Sequence, residues 1–164
     1  MNLTDLVLSE FTDQFKAIHP AIVALRLAAA VILGGIIGIE REVIADGAGL
    51  RTHILVSLAA CLFAILAFEM LADPTGKGSD PLRLIEAVTA GVAFLAAGSI
   101  ITSGGKIKGL TTGAGMWMAG AIGLACGVGN IVLGAMASVL AVVVLWMFRH
   151  LSRKLTNATD AAKR

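Results

Sequence analysis

Five stretches of 17 to 20 residues in this chain carry at most two charges each: 21–39, 53–71, 82–101, 111–127 and 131–148. A helix that crosses the hydrocarbon core of a bilayer needs roughly 20 mostly apolar residues, within a range of about 17–25. Lipid offers an unpaired backbone no hydrogen-bond partner, so spanning stretches of this length are helices. The fold class predicted is an all-α integral membrane protein, with about five transmembrane helices in a small bundle. The fourth stretch is short and rich in Gly and Thr, and a re-entrant segment is the alternative there. Residues 1–148 read as the transmembrane domain and residues 149–164 as a short basic tail.

Composition closes off other classes. Of the 164 residues 57% are hydrophobic and 15% charged, against a usual ~25% charged, which excludes a disordered chain and argues against a soluble globule. A net charge of +2 without a basic stripe outside the tail argues against a nucleic-acid partner. Cys61 and Cys126 have no paired spacing, which excludes a disulfide scaffold or a Cys-based zinc site. The first 20 residues hold Asp5, Glu10 and Asp13 against Lys16 alone. That is the wrong charge for a signal peptide. Leu3, Val7, Phe11, Phe15 and Ile18 recur at steps of three or four and Pro20 ends the run, which predicts an amphipathic helix on the membrane surface or docked on the bundle.

Orientation follows from the loop cations. Arg41, Arg51, Lys106, Lys108 and the five Lys and Arg of the tail share one side, and Lys16, Lys77 and Arg83 the other. Nine against three places the tail in the cytoplasm and the N-terminus outside. With four spans the basic tail would lie outside, against the rule.

Helices in lipid associate through packing and hydrogen bonds, and small residues let their backbones approach. Gly34 and Gly38 stand four apart in the first stretch; Gly115, Ala119, Gly123 and Gly127 form one strip in the fourth. The strip predicts a tight bundle or a homodimer contact, with a partner's transmembrane helix as the sharper alternative.

Charges at membrane depth cost at least ~2.5 kcal/mol at a helix centre, so each asks for a reason. Arg26 and Glu86 lie roughly 6–7 Å inside the outer face by helical rise, which predicts an intramembrane ion pair between them. Glu69 is a second partner to consider for Arg26, and snorkelling of each charge to the interface is the alternative. At the other face Glu40, Arg41 and Glu42 end one stretch while Arg51, Thr52 and His53 open the next. The following inner loop supplies Lys106, Lys108, Thr111 and Thr112. A phosphate-loop reading fails because Ile107 follows Lys106 where Ser or Thr is required. A helix N-terminus with nearby lysines still suits an anionic head group or a partner's carboxylate. Glu40, Arg41, Arg51, Thr52, His53, Lys106, Lys108, Thr111 and Thr112 are therefore the predicted functional rim. His53 adds a group whose ordinary pKa of about 6.5 suits a response to acid.

Nothing reads as catalytic. His19, His53 and His150 are too scattered for a shared metal. Glu69, Asp73 and Asp80 around the outer loop read as solvated acids. The expectation is a protein without enzymatic activity, cofactor or resident metal.

The rims carry a recognisable pattern. Gly35-x-x-Gly38-Ile39-Glu40-Arg41-Glu42 and Ala48-Gly49-Leu50-Arg51-Thr52-His53 come first. Gly91-x-x-Phe94-Leu95-Ala96-Ala97-Gly98, Gly109-Leu110-Thr111-Thr112, Trp117 and Ala121-Ile122-Gly123-Leu124-Ala125-Cys126-Gly127 follow. In that order they cover most of residues 26–129, and the chain resembles the MgtC/SapB family of bacterial membrane proteins. Departures are Ala96 where Gly is usual and Gly113-Ala114-Gly115 where Ala is usual. The resemblance implies an inner-membrane protein of about five spans that helps adaptation to low magnesium, to acid and to life inside host cells. It implies action on membrane partners, notably the proton-driven ATP synthase, rather than carriage of magnesium. Longer members add a soluble C-terminal domain, and the short form without it is what this sequence suggests. A small ion transporter or channel, for magnesium or proton-coupled, is the alternative function. It would be marked by broken helices and polar groups at the midplane, where this sequence offers Ser57, Cys61 and glycines.

Overall fold

The computed structural model describes residues 3–4, 15, 17–42, 48–72, 80–103 and 105–162, with the side chains of Pro81, Ser103, Lys106 and residues 148–162 excepted. The chain is predominantly helical. Its helices are α1 (Pro20–Glu42), α2 (Leu50–Leu71), α3 (Pro81–Gly98), α4 (Leu110–Gly127) and α5 (Ile131–Ala162). The first two are long and apolar enough to cross a membrane. Between α3 and α4 runs a hairpin of β1 (Ile101–Ser103) and β2 (Lys106–Lys108), antiparallel with Ile101 opposite Lys108.

Local chemistry sets several boundaries. Asp80 caps α3, its carboxylate accepting from the Leu82 N–H at 2.9 Å, with Pro81 in the first turn, an arrangement that suits the free donors and fixed φ of a helix start. The sequence reads Asp80 as merely solvated; the structure gives it this capping bond. Gly109 precedes α4 with φ +88°, and a Cβ there would collide with the Ser99 carbonyl. Only glycine lets the hairpin return so close beneath α3. Hydropathy predicts that the third helix runs to residue 101, but it stops at Gly98 and the inner loop is this hairpin. The last helix continues well past 148, because nothing after Gly134 is Gly or Pro. Most of the predicted N-terminal amphipathic helix lies outside the described residues. Near its end, Ile18 packs on the core, and the Ala17 and Ile18 N–H groups donate to the Glu69 carboxylate at 2.9 and 3.0 Å.

The bundle is built on α1, α2 and α4, with α3 leaning on α4 and α5 packed against α1 and α4. Its apolar centre is Ala30, Ile37, Cys61, Ile65, Ile122 and Cys126. The predicted glycine strip works inside the chain. A Cβ on Gly34 would sit 2.6 Å from Ser57 Cβ, and one on Gly127 would sit 2.6 Å from the Cys61 carbonyl oxygen. A Cβ on Gly123 would overlap the Ser57 backbone. Two buried serines complete the contacts. The Ser57 hydroxyl donates to the Ala30 carbonyl at 2.8 Å and Ser138 to the Leu33 carbonyl at 3.2 Å. Each removes the cost of a buried hydroxyl and ties a neighbouring helix to α1.

Candidate functional site

Polar side chains gather where α1 ends and α2 and α4 begin. Helical phase carries Arg41 inward rather than to solvent, and it is 7% exposed. Its guanidinium Nη2 donates to Thr112 Oγ1 of α4 at 3.4 Å, and Nη1 lies 4.0 Å from Glu40 Oε2. His53, in the first turn of α2, is fully buried. Its Nδ1 donates to the Gly49 carbonyl at 2.8 Å. A carbonyl can only accept, so Nδ1 carries the ring's proton and Nε2 faces inward with a lone pair when the ring is neutral. Gly115 of α4 makes room for that edge, since a Cβ there would lie 2.8 Å from Nε2 and 3.9 Å from Arg41 Cδ.

Two atoms of this knot are in surplus. Arg41 Nε and His53 Nε2 are buried without a hydrogen-bond partner among the described residues. One is a donor and the other an acceptor, close beside a carboxylate. Buried polar atoms left unmatched in this way cost about 1–3 kcal/mol each, and they give the site unused capacity to recognise a polar group or to move on binding one.

The nine predicted rim residues thus separate into two layers. Glu40, Arg41, His53 and Thr112 form the inner knot; Arg51, Lys108 and Thr111 are exposed around it, and Thr52 is half-buried. The Lys106 side chain lies outside the described residues. Glu42 does something the sequence reading missed. Its Oε2 accepts from the Leu50 N–H at 2.7 Å, holding negative charge at the start of α2, where the helix dipole favours it. The lack of a side chain at Gly49 leaves space for that carboxylate. Two other partners were also not legible, the Gly49 carbonyl and the Gly115 notch; the only signal for either was a glycine beside a charged cluster.

The predicted Arg26–Glu86 pair is not formed among the described residues. Arg26 Nη1 donates to the Gly127 carbonyl at 2.7 Å, while Glu86 is exposed on α3. The helices α2 and α4 stand between α1 and α3. Glu69 is turned to the Ala17 and Ile18 N–H groups. Among the described residues no three His, Cys, Asp or Glu side chains come together as a metal would require.

Comparison with known proteins bears directly on the pattern shared by these helices. The MgtC family model matches residues 27–154. The chain is 40% identical over 136 residues to YhiD of Escherichia coli strain K12, a protein named as a candidate magnesium transporter, covering 81% of this chain and 63% of that one. It is 37% identical over 129 residues to protein MgtC of Brucella abortus strain 2308, covering 79% and 52%. Against protein MgtC of Salmonella typhimurium the identity is 31% over 139 residues, covering 85% and 58%. The chain therefore spans a little over half the length of these curated relatives. No solved structure matches it. The match runs from within α1 to within α5 and includes both sides of the buried knot, which shows that the chain belongs to the MgtC family.

Proposed function

We propose that this chain is a non-enzymatic regulator in the bacterial inner membrane. It crosses the bilayer five times, with the N-terminus outside and the C-terminus in the cytoplasm. Its cytoplasmic rim engages a membrane protein partner during adaptation to low magnesium or acid. By family resemblance the proton-driven ATP synthase is the partner to test first.

One observation carries this reading. Among the described residues, the buried side chains with unused hydrogen-bonding capacity sit at one end of the bundle, while its middle is closed by contacts too tight for an added methyl at Gly34 or Gly123. A carrier needs polar groups and a passage at the midplane. The three cavities described, of about 320 to 400 Å³, lie between helices on the bundle's flanks, are lined almost wholly by apolar side chains, and include neither Arg26 nor Glu86. An exposed ring of Arg51, Lys108 and Thr111 over a buried knot suits recognition of a partner, where charges steer association without full burial. The name of the Escherichia coli relative favours a second reading, magnesium transport.

The two are separated by one pair of measurements. Purified protein in liposomes holding a magnesium-sensitive dye should admit no more magnesium than empty liposomes. Arg51→Ala should abolish complementation of a deletion strain in low magnesium while accumulating normally in the membrane. Magnesium entry that requires the protein would replace regulation by transport.

A further inference from the structure

The outward faces of the helices are not alike. On α5 the exposed side carries Val132, Leu133, Met136, Val139, Leu140 and Val143, which is what lipid tails meet without cost. On α1 the exposed residues Ile22, Leu25, Ile32, Ile36 and Ile39 are of the same kind. α3 differs. Val92 is its one buried hydrophobic residue among those described, and Val92 and Val88 turn toward α2 and α4. At 100° per residue the opposite side is centred on Arg83, Ala90 and Phe94, with Glu86, Ala87 and Ala97 beside them. All six are exposed. Phe94 is 80% exposed, and a Cβ on Gly91 or Gly98 would meet nothing within 4 Å.

A face of alanines with Phe94 and two opposite charges, flanked by Gly91 and Gly98, is a poor lipid surface and a good helix surface. Small residues let a second backbone come close, and a charge inside a span, as Glu86 is by helical rise, faces protein rather than lipid. The glycine strips of α1 and α4 are already used inside the chain, and among the described residues no helix packs on this side of α3. We propose that a second copy of this chain packs here, α3 against α3, about a twofold axis along the membrane normal. The charges select the occupant. In a parallel symmetric pair, Arg83 of one copy and Glu86 of the other differ by three residues, about 4.5 Å along the axis. The face therefore complements itself twice over. Each Phe94 comes level with the open notches at Gly91 and Gly98 of the other copy, within about 6 Å along the axis. An isologous interface has this self-complementarity by definition.

The proposal rests on reading these helices as membrane spans, and membrane fractionation checks that separately. Ala87→Cys and Ala90→Cys change little volume and can be oxidised in native membranes with copper phenanthroline. Cys61 and Cys126 are fully buried, so the parent chain serves as the uncrosslinked control. Disulfide-linked dimer is expected from both α3 variants and not from Met136→Cys on α5. Arg83→Glu or Glu86→Arg should each lower the dimer yield of Ala90→Cys several-fold, and the double swap should restore it. The parent chain, extracted in lipid discs and weighed by native mass spectrometry, should have twice the monomer mass. Monomer mass in the discs, dimers from α5 in place of α3, a link from Ala90→Cys to another protein, or a double swap that fails to restore the dimer would overturn the proposal.

Discussion

Two arginines of α1 meet the same difficulty in different ways. Arg26 is part-buried near one end of the bundle and donates to the Gly127 carbonyl at 2.7 Å. Gly127 is the last residue of α4, where carbonyls lack intrahelical partners and the dipole favours a cation. One strong bond to the backbone satisfies both sides, and nothing about it depends on a particular acidic residue. Arg41, at the other end, is more deeply buried and is held by side chains, with Thr112 at 3.4 Å and Glu40 at 4.0 Å. Its Nε has no hydrogen-bond partner among the described residues, and neither has Nε2 of His53. An arginine matched by a helix end is a fastener. An arginine held by side chains in a buried cluster with unmatched donors and acceptors is, under the proposed function, the working group.

Substitution should separate the two roles. Arg41→Ala should have the largest effect, a loss of about 3 kcal/mol, because it strips the cation from a buried ionic cluster. Arg26→Ala should cost about 2 kcal/mol, the range for losing a charge-assisted bond and stranding its acceptor. Both are read as thermal midpoints in mild detergent. Lysine sharpens the contrast. A single ammonium can reach one carbonyl, so Arg26→Lys should recover most of its loss. A planar fork between two helices has no lysine equivalent, so Arg41→Lys should remain unable to complement. Equal rescue at both positions would erase the distinction.

Gly115 tests whether the knot depends on shape as well as charge. Its substitution by alanine puts a methyl 2.8 Å from His53 Nε2, and the ring cannot turn away without breaking its Gly49 bond. Gly115→Ala should cost about 1 kcal/mol by overpacking and should abolish complementation at normal membrane levels. Retained complementation would mean that the His53 edge has no role.

How much of this was legible in the sequence follows from what periodicity encodes. Spacings of four fix a face, so the strip Gly115, Ala119, Gly123 and Gly127 could be read as one close-packing surface, and all four are buried. Hydropathy marks where α1 and α2 lie to within three residues at each end. It encodes depth and facing, but not which helix stands beside which. That is why Arg26 and Glu86 looked like a pair and Gly127 was missed as a partner: backbone carbonyls are invisible in a list of side chains. The hairpin was missed because two strands of three residues are shorter than any pattern of alternation. Within the rim, sequence assembled the right neighbourhood from two distant loops, yet could not tell the buried Arg41, His53 and Thr112 from the exposed Arg51, Lys108 and Thr111.

The smallest expected effect is the most direct check on that neighbour order. If Arg26 and Glu86 were partners, removing either would leave the other unmatched, and the double variant would cost less than the two singles together. With Arg26 bonded to Gly127 and Glu86 on the far side of α2 and α4, no such coupling should exist. Independent sites add within about 0.5 kcal/mol. Arg26→Ala should therefore lower the melting midpoint by the same amount whether residue 86 is Glu or Gln. Glu86→Gln alone should leave the melting of the detergent-separated monomer unchanged, and should act only where α3 meets another copy. The cycle is best run at detergent concentrations that hold the chain monomeric and then repeated in membranes. Coupling in the monomer would return Glu86 to Arg26 and place α1 beside α3, whereas coupling of Glu86 to Arg83 in membranes alone would locate its partner across the α3 face.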